Sequence, residues 1–430
     1  MAHDHQSDYV GTVSALGPQK ISAKTRNIYL AMMLVGFATF AYFAFGSDTP
    51  RVGWISFLHN LYIFTGLAAA GVVVATILQT ASANWARPIK RIAESTQAFF
   101  PVAIVGFIIL YFGAAEIYPW VTVPPAEHSN KHLWLTQNFV FARVIGGVII
   151  LMLVARWFSK NADRPDFGLA HQHNSAWPQP AGWTDLESEV AKAQKAMSLA
   201  GPIYCVLFAV IISFLAYDLI MSMDYGWFST MFGGWNFTTH ILMTWGMLYF
   251  FSHFAAKRFG IGEFFPKPMW HDLGKLTFGF TVVWGYLFFA QYLVIWYGNL
   301  PHEAGFLITR FHEEPWAPIS KVILAMVFVL PFLLGLSRKR KMSFKTFAPV
   351  VIISFCGIWM ERWMLITPAA WYFDAETGHY AHGLMTLVIA DVLVFVGFLG
   401  LFLLVYTNYL FKRPVMPISD PRLPLGIHRH

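Results

Sequence analysis

Ten apolar runs of membrane-spanning length dominate this sequence, at about 27–45, 52–80, 97–117, 137–158, 197–221, 237–256, 275–298, 318–337, 346–366 and 384–411. A hydrocarbon core about 30 Å thick takes roughly 20 helical residues to cross, and backbone amides in lipid must be satisfied within the segment. The chain is therefore expected to be an all-α integral membrane protein. Composition agrees: 57% of the residues are hydrophobic and 12% charged, against about 25% charged in a soluble domain. No long polar stretch is present to hold a soluble catalytic domain. The polar N-terminus lacks an apolar core followed by a small-residue cleavage site, so the first helix is expected to serve as its own insertion signal.

Lys and Arg alternate between the two sides of this pattern. With the N-terminus in the cytoplasm, 24 fall on the inner side and 4 on the outer. The positive-inside rule then predicts ten helices with both termini cytoplasmic, and the net charge of +7 reflects topology and anionic lipid, not nucleic acid. The chain divides into a cytoplasmic segment 1–26, a first peripheral helix 27–51, four helices over 52–221, four more over 237–366, a last peripheral helix 384–411 and a cytoplasmic tail 412–430. The outer loops are acidic and His-rich (Asp48, Glu127, His128, His132, His302, Glu303, His312, Glu313, Glu314, Asp374, Glu376 and His379). They read either as a solvated surface or as a docking face for basic or redox partners.

The chemistry is expected where ionisable groups enter the spans, because a charge at a helix centre costs about 2.5–3.5 kcal/mol on insertion scales. His59 lies seven residues into the second span from outside, about 10 Å deep, and Asp391 lies seven residues into the last. Arg143 is six residues into the fourth, Glu116 ends the third, and Asp218 and Asp224 end the fifth. His240 opens the sixth, and Glu361 and Arg362 close the ninth. All sit in the outer half; the inner half carries mainly Ser, Thr, Tyr and the boundary residue His253. Long side chains near a helix end can snorkel to the interface, but His59 and Asp391 are too short and need partners inside the bundle. Glu361 and Arg362 point about 100° apart and are expected to pair with other helices. A linked outer-half network of His59, Asp218, His240, Glu361, Arg362 and Asp391 follows, suited to handling protons.

Acid and histidine recur at comparable depth four helices apart, His59 with His240 and Asp218 with Glu361. The two blocks keep one orientation, which predicts parallel-related four-helix bundles with a flanking helix at each end. Cofactor motifs are lacking. Cys205 and Cys356 stand singly in apolar runs without CxxC or CxxCH, and His240 and His253, 13 residues apart, project about 140° from one another. This chain alone is expected to hold no metal, haem or iron–sulfur cluster.

Three motifs carry a family resemblance. Tyr217-Asp218-Leu219-Ile220-Met221-Ser222-Met223-Asp224 with Trp227-Phe228-Ser229-Thr230 is the first. The second runs from Asp272-Leu273-Gly274-Lys275-Leu276 through Phe289-Ala290-Gln291-Tyr292 and Trp296 to Asn299-Leu300-Pro301, and Glu361-Arg362-Trp363 is the third. Together they resemble the NrfD-like, polysulfide-reductase-type membrane subunits of alternative complex III, the second and smaller of its two most closely. Tyr225-Gly226 departs from the Pro-His of the family after the acid. The resemblance implies a quinol:cytochrome c oxidoreductase of the bacterial inner membrane, with quinone or quinol as the membrane carrier. It further implies a homologous membrane subunit, periplasmic haem c and iron–sulfur subunits, and a terminal oxidase or soluble cytochrome as acceptor. Three functions stay open: a quinol-binding redox subunit with His59 or Asp218 as general base, a structural and proton-conducting subunit without a quinol site, and a stand-alone secondary transporter.

Overall fold

Lipid leaves the backbone of a long apolar run no partner but itself, and these runs accordingly form helices. A computed structural model describes residues 2–126, 129–224, 226–370, 373–374, 379–380 and 383–428. In chain order the main helices are α1 (Ala2–Ala15), α2 (Ala23–Gly46), α3 (Pro50–Thr80) and α4 (Asn84–Phe112). There follow α5 (Gln137–His173), α6 (Leu186–Leu219), α7 (Met231–Phe259) and α8 (Lys267–Gly298). The last are α9 (Pro301–Phe311), α10 (Trp316–Gly335), α11 (Phe344–Ala370), α12 (Leu384–Leu410) and the short α13 (Leu423–Ile427). One antiparallel pairing joins β1 (Phe373–Asp374) to β2 (His379–Tyr380).

Among the described residues nine helices are long and apolar enough to cross a membrane: α2 to α6, α8 and α10 to α12. α7, at 29 residues, has the length but is not among them. Asn236, Thr238, Thr239, His240 and Thr244 lower its apolarity, and all five are buried. These polar side chains turn inward, as in a core element, and α7 packs against α3, α6, α8 and α11.

Local signals set the ends. Ser22 Oγ accepts from the Thr25 amide at 3.2 Å and opens α2, while Asp185 Oδ1 accepts from the Ser188 amide at 2.8 Å and opens α6. Gly260 after α7 and Asn299 after α8 take the left-handed conformation that stops a helix.

α3 is the axis of the molecule. Nearly all of its residues are buried, and it packs on α2, α4, α6, α7, α11 and α12. Contacts run in a ring from α3 through α4, α5 and α6 back to α3, and in a second ring from α7 through α8, α10 and α11 back to α7. α2 and α12, the first and last long helices, lie directly on each other. They approach so closely that a Cβ on Gly36 would stand 2.3 Å from the Gly397 Cα.

Two boundaries differ from the sequence reading. Within the basic stretch 81–96, expected as a cytoplasmic loop, residues 84–96 are the helical start of α4, and 86–96 are buried. The polar connection 159–196 is mostly continuous helix, the inner ends of α5 and α6. Arg91 of the first stretch pairs with Asp163 and Asp166 of the second inside the fold, so charges that marked loops neutralise one another there. Nor is the C-terminal tail free: Val415, Met416, Ile418 and Leu423 are buried, and α13 packs on the start of α4.

Candidate functional site

Two polar clusters occupy the core around α3. In the first, His59 Nδ1 lies 2.9 Å from Asp391 Oδ1, and Nε2 lies 3.0 Å from the Trp359 carbonyl. Both side chains are fully buried. A carbonyl only accepts, so Nε2 carries a hydrogen. One further proton then lies between Nδ1 and Oδ1, on the imidazole or on the carboxyl. Asn60 Nδ2 donates to the Asp391 carboxylate at 3.3 Å, and Trp359 Nε1 donates to Asn60 Oδ1 at 3.1 Å. The cluster thus joins α3, α11 and α12 by hydrogen bonds.

The second cluster joins α3, α7, α8 and α11. Arg362 Nη1 donates to Asn236 Oδ1 at 2.5 Å, and the Tyr62 hydroxyl donates to the same oxygen at 2.9 Å. Trp284 Nε1 donates to Glu361 Oε1 at 3.2 Å, while Arg362 Nη2 stands 3.6 Å from Glu361 Oε2. His240 packs its ring 5.2 Å from that of Tyr62. Neither His240 nitrogen has a hydrogen-bond partner among the described residues. Room for the imidazole comes from Gly66, where an added Cβ would sit 2.1 Å from it. The clusters are neighbours because His59 and Tyr62 on α3, like Trp359 and Arg362 on α11, are three residues apart and share a helix face.

The remaining candidates lie elsewhere. Asp218 is held at the outer end of α6 by Arg143, whose Nε and Nη2 reach its two oxygens at 3.0 and 2.9 Å, and by Trp134 Nε1 at 3.1 Å. Arg143 is itself sandwiched between the rings of Trp134 and Phe139. This arrangement clamps the residues around Trp134 onto α6 and shares no group with the two clusters. Glu116 is exposed, and its carbonyl accepts from Arg51 Nε at 2.8 Å. Asp224 is half-buried at the outer turn after α6. The sequence-based network thus divides: His59 with Asp391, His240 with Glu361 and Arg362, Asp218 with Arg143. Of the outer acidic face, Glu127, His128 and Glu376 lie outside the described residues, as does Tyr225.

Three groups of polar residues escaped sequence reasoning. Asn60, Tyr62 and Asn236 are uncharged, and nothing but their inward-facing helix positions could have marked them. Arg310 was counted as an ordinary outer-loop cation; it is buried and donates to the carbonyls of Phe306, Met364 and Leu365 at 3.1, 3.2 and 3.0 Å. Burial pushes its guanidinium below the usual arginine range, and the charge of Asp224 offsets part of that.

The third group corrects the reading that the inner half lacks carboxylates. Arg91, at the inner end of α4, donates to Glu94, Asp163 and Asp166. Asp163 also takes Arg413 Nε at 2.8 Å, and Arg87 reaches Asp420 at 3.0 Å. Most of these groups are buried, and the pattern shows in sequence only as interspersed loop charges.

No known family model matches the chain, and no characterised protein does. The resemblance drawn above rests on its own motifs.

Proposed function

We propose that this chain is a membrane subunit of a respiratory quinol:cytochrome c oxidoreductase of the NrfD-like type, in the bacterial inner membrane with both termini cytoplasmic. In this reading α3 to α6 form one four-helix bundle and α7, α8, α10 and α11 the other. The two are related in parallel, with α7 as the tenth span and α2 and α12 beside them. Haem c and iron–sulfur centres belong to periplasmic partner subunits, and a homologous membrane subunit stands alongside.

The observation that carries the reading is the polar core around α3. An imidazole, two carboxyls and a guanidinium buried among apolar helices are costly unless paired, and ionisable groups inside a membrane span are functional candidates by default. His59 and Asp391 lie within hydrogen-bond distance of each other, and Arg362 stands close to the Glu361 carboxylate. Quinol oxidised near the outer surface yields protons that such groups can accept and release outward. The complete burial of the His59–Asp391 pair favours a second reading, in which this chain only moves protons and quinol reacts on its homologous partner.

Asp391→Asn and Glu361→Gln keep the shape and most hydrogen bonds. They should leave the complex assembled and lower quinol oxidation or its coupled proton release at least about tenfold. Turnover and proton stoichiometry that both stay at wild-type values in both variants would remove the functional reading.

A further inference from the structure

α11 and α12 are consecutive long helices, yet a gap separates parts of them. They meet where the rings of Phe355 and Trp359 stand 6.2 and 5.9 Å from that of Phe395. Toward the ends at Phe344 and Leu410 they enclose an open groove of about 220 Å³. Val351, Ile352 and Phe355 form one wall, and Leu399 and Phe402 the other. The floor is α7, through Met247, Phe250, Phe251 and Phe254, with Phe64 and Leu67 of α3 behind it. Every lining residue is apolar, and Phe254 and Ile352 are 54% and 50% exposed, so the groove faces out of the protein.

One turn further along α7 the floor changes character. Each helical residue advances about 100°, which sets Met247, Phe250, Phe251 and Phe254 in one stripe. Lys257 and Arg258, in the last turn of α7, continue that stripe at about 60° and 40° to either side of Phe254. Both are exposed, and among the described residues neither pairs with a carboxylate. Ring contacts fix this turn between its neighbours. Phe344 of α11 stacks on His253 at 3.7 Å, and Phe411, at the end of α12, lies 5.2 Å from Phe259 and 5.8 Å from the Arg258 guanidinium.

Basic side chains at a helix end reach the membrane surface in many proteins; these two also close an apolar groove that opens sideways. In lipid such a groove is filled by hydrocarbon, and the unpaired cations at its end call for an anion attached to that hydrocarbon. A zwitterionic phospholipid carries its own cation beside the phosphate. An anionic one leaves the phosphate charge to the protein. We propose that this groove binds an anionic phospholipid, an acyl chain lying along Phe250, Phe254, Ile352 and Leu399 and the phosphate on Lys257 and Arg258. The lipid closes the gap between α11 and α12. The site uses no residue of the polar core, so it stands whether or not the chain handles quinol.

The test places the photoreactive residue p-benzoylphenylalanine at Ile352 of the full chain, in nanodiscs of dioleoylphosphatidylcholine with a minor share of dioleoylphosphatidylglycerol. Mass spectrometry then identifies the cross-linked lipid. Phosphatidylglycerol should be enriched at least about fivefold over its share of the bilayer, the return expected from one cation near an anionic headgroup. The same probe at Leu199, which is exposed on α6 one turn from the exposed Lys195, should give adducts in bulk proportion. Lys257→Gln with Arg258→Gln should bring the Ile352 adducts to bulk proportion, and either replacement alone should lower the enrichment; thermal melting reports that these variants are folded. Bulk proportions in the unaltered groove, or enrichment that persists in the folded double variant, overturn the site. Equal enrichment at Leu199 assigns the preference to surface charge in general and overturns it too. Inorganic phosphate should leave the enrichment as it is in chloride of equal ionic strength. Its loss in phosphate would mean that the two cations take a free anion, and the lipid site would fall.

Discussion

His59 and Asp391 each depend on the other to be tolerable inside apolar helices. Removing one partner of a buried pair costs about 3–5 kcal/mol, because the remaining charge has no compensation, whereas replacing both with apolar groups can be near neutral. His59→Phe should therefore destabilise the solubilised chain by about 3–5 kcal/mol, and His59→Phe with Asp391→Leu should recover most of it. Thermal unfolding of the two variants decides; a double variant as unstable as the single one would mean that the pair is not what holds these helices. Gly66 makes a sharper steric case. An alanine there would place its Cβ 2.1 Å from the His240 ring, an overpacking of the kind that costs about 1–3 kcal/mol. Gly66→Ala should lower the melting temperature, and adding His240→Ala should restore it. Persistence of the defect in the double variant would show that the strain lies in the backbone of α3.

At the scale of elements, the inner end of α4 acts as a keystone. Four cations (Arg87, Lys90, Arg91 and Arg413) meet four carboxylates (Glu94, Asp163, Asp166 and Asp420). These bonds tie α4 to the inner extension of α5 and to the C-terminal tail, with Ser419 donating to Asp166 Oδ1 at 2.6 Å. Arg91 touches three of the carboxylates and is 1% exposed. Arg91→Met should therefore destabilise the fold by about 3–5 kcal/mol, since three acids would stay buried around a missing cation. Arg413, partly open to solvent, should matter less: Arg413→Met should cost about 1 kcal/mol or below. Melting curves and proteolysis of the tail would test this ordering, and equal effects would mean that the cluster is solvated in the membrane. Elsewhere small residues do the same work sterically: the approach of α2 to α12 at Gly36 and Gly397 leaves no space for a side chain.

For the whole molecule, the proposed orientation, drawn from the Lys and Arg bias, predicts loops 118–136, 299–317 and 367–383 outside the cell. In a background with Cys205→Ser and Cys356→Ser, a Ser129→Cys variant should react with an impermeant thiol reagent in intact spheroplasts, and Ser343→Cys should react only after lysis. The opposite pattern would invert the chain. In the proposed orientation the polar core around α3 would lie in the outer half and the ion cluster at Arg91 would face the cytoplasm.

The class of the protein was legible in the sequence because one constraint overrides the others there. Long apolar runs can satisfy their amides in lipid only as helices, and the charges between them report which side each end occupies. Depth could be read as well, since rise per residue is constant along a helix; that is how His59, Asp391, Glu361 and Arg362 emerged as candidates. Partners could not be read. Spacing along one helix says how deep a residue lies and which way it points, but not which of the other helices stands opposite. His59 meets Asp391 across 332 residues, Arg362 meets Asn236 across 126, and Arg143 draws Asp218 away from the network expected of it. The buried charges of 81–96 were misjudged for the same reason. Alone, a basic stretch is at its lowest energy in water; here Asp163 and Asp166 are brought to it by α5 and Asp420 by the tail, beside its own Glu94. Only the tertiary structure decides that, because most of the solvation such charges lose is returned by groups distant in sequence.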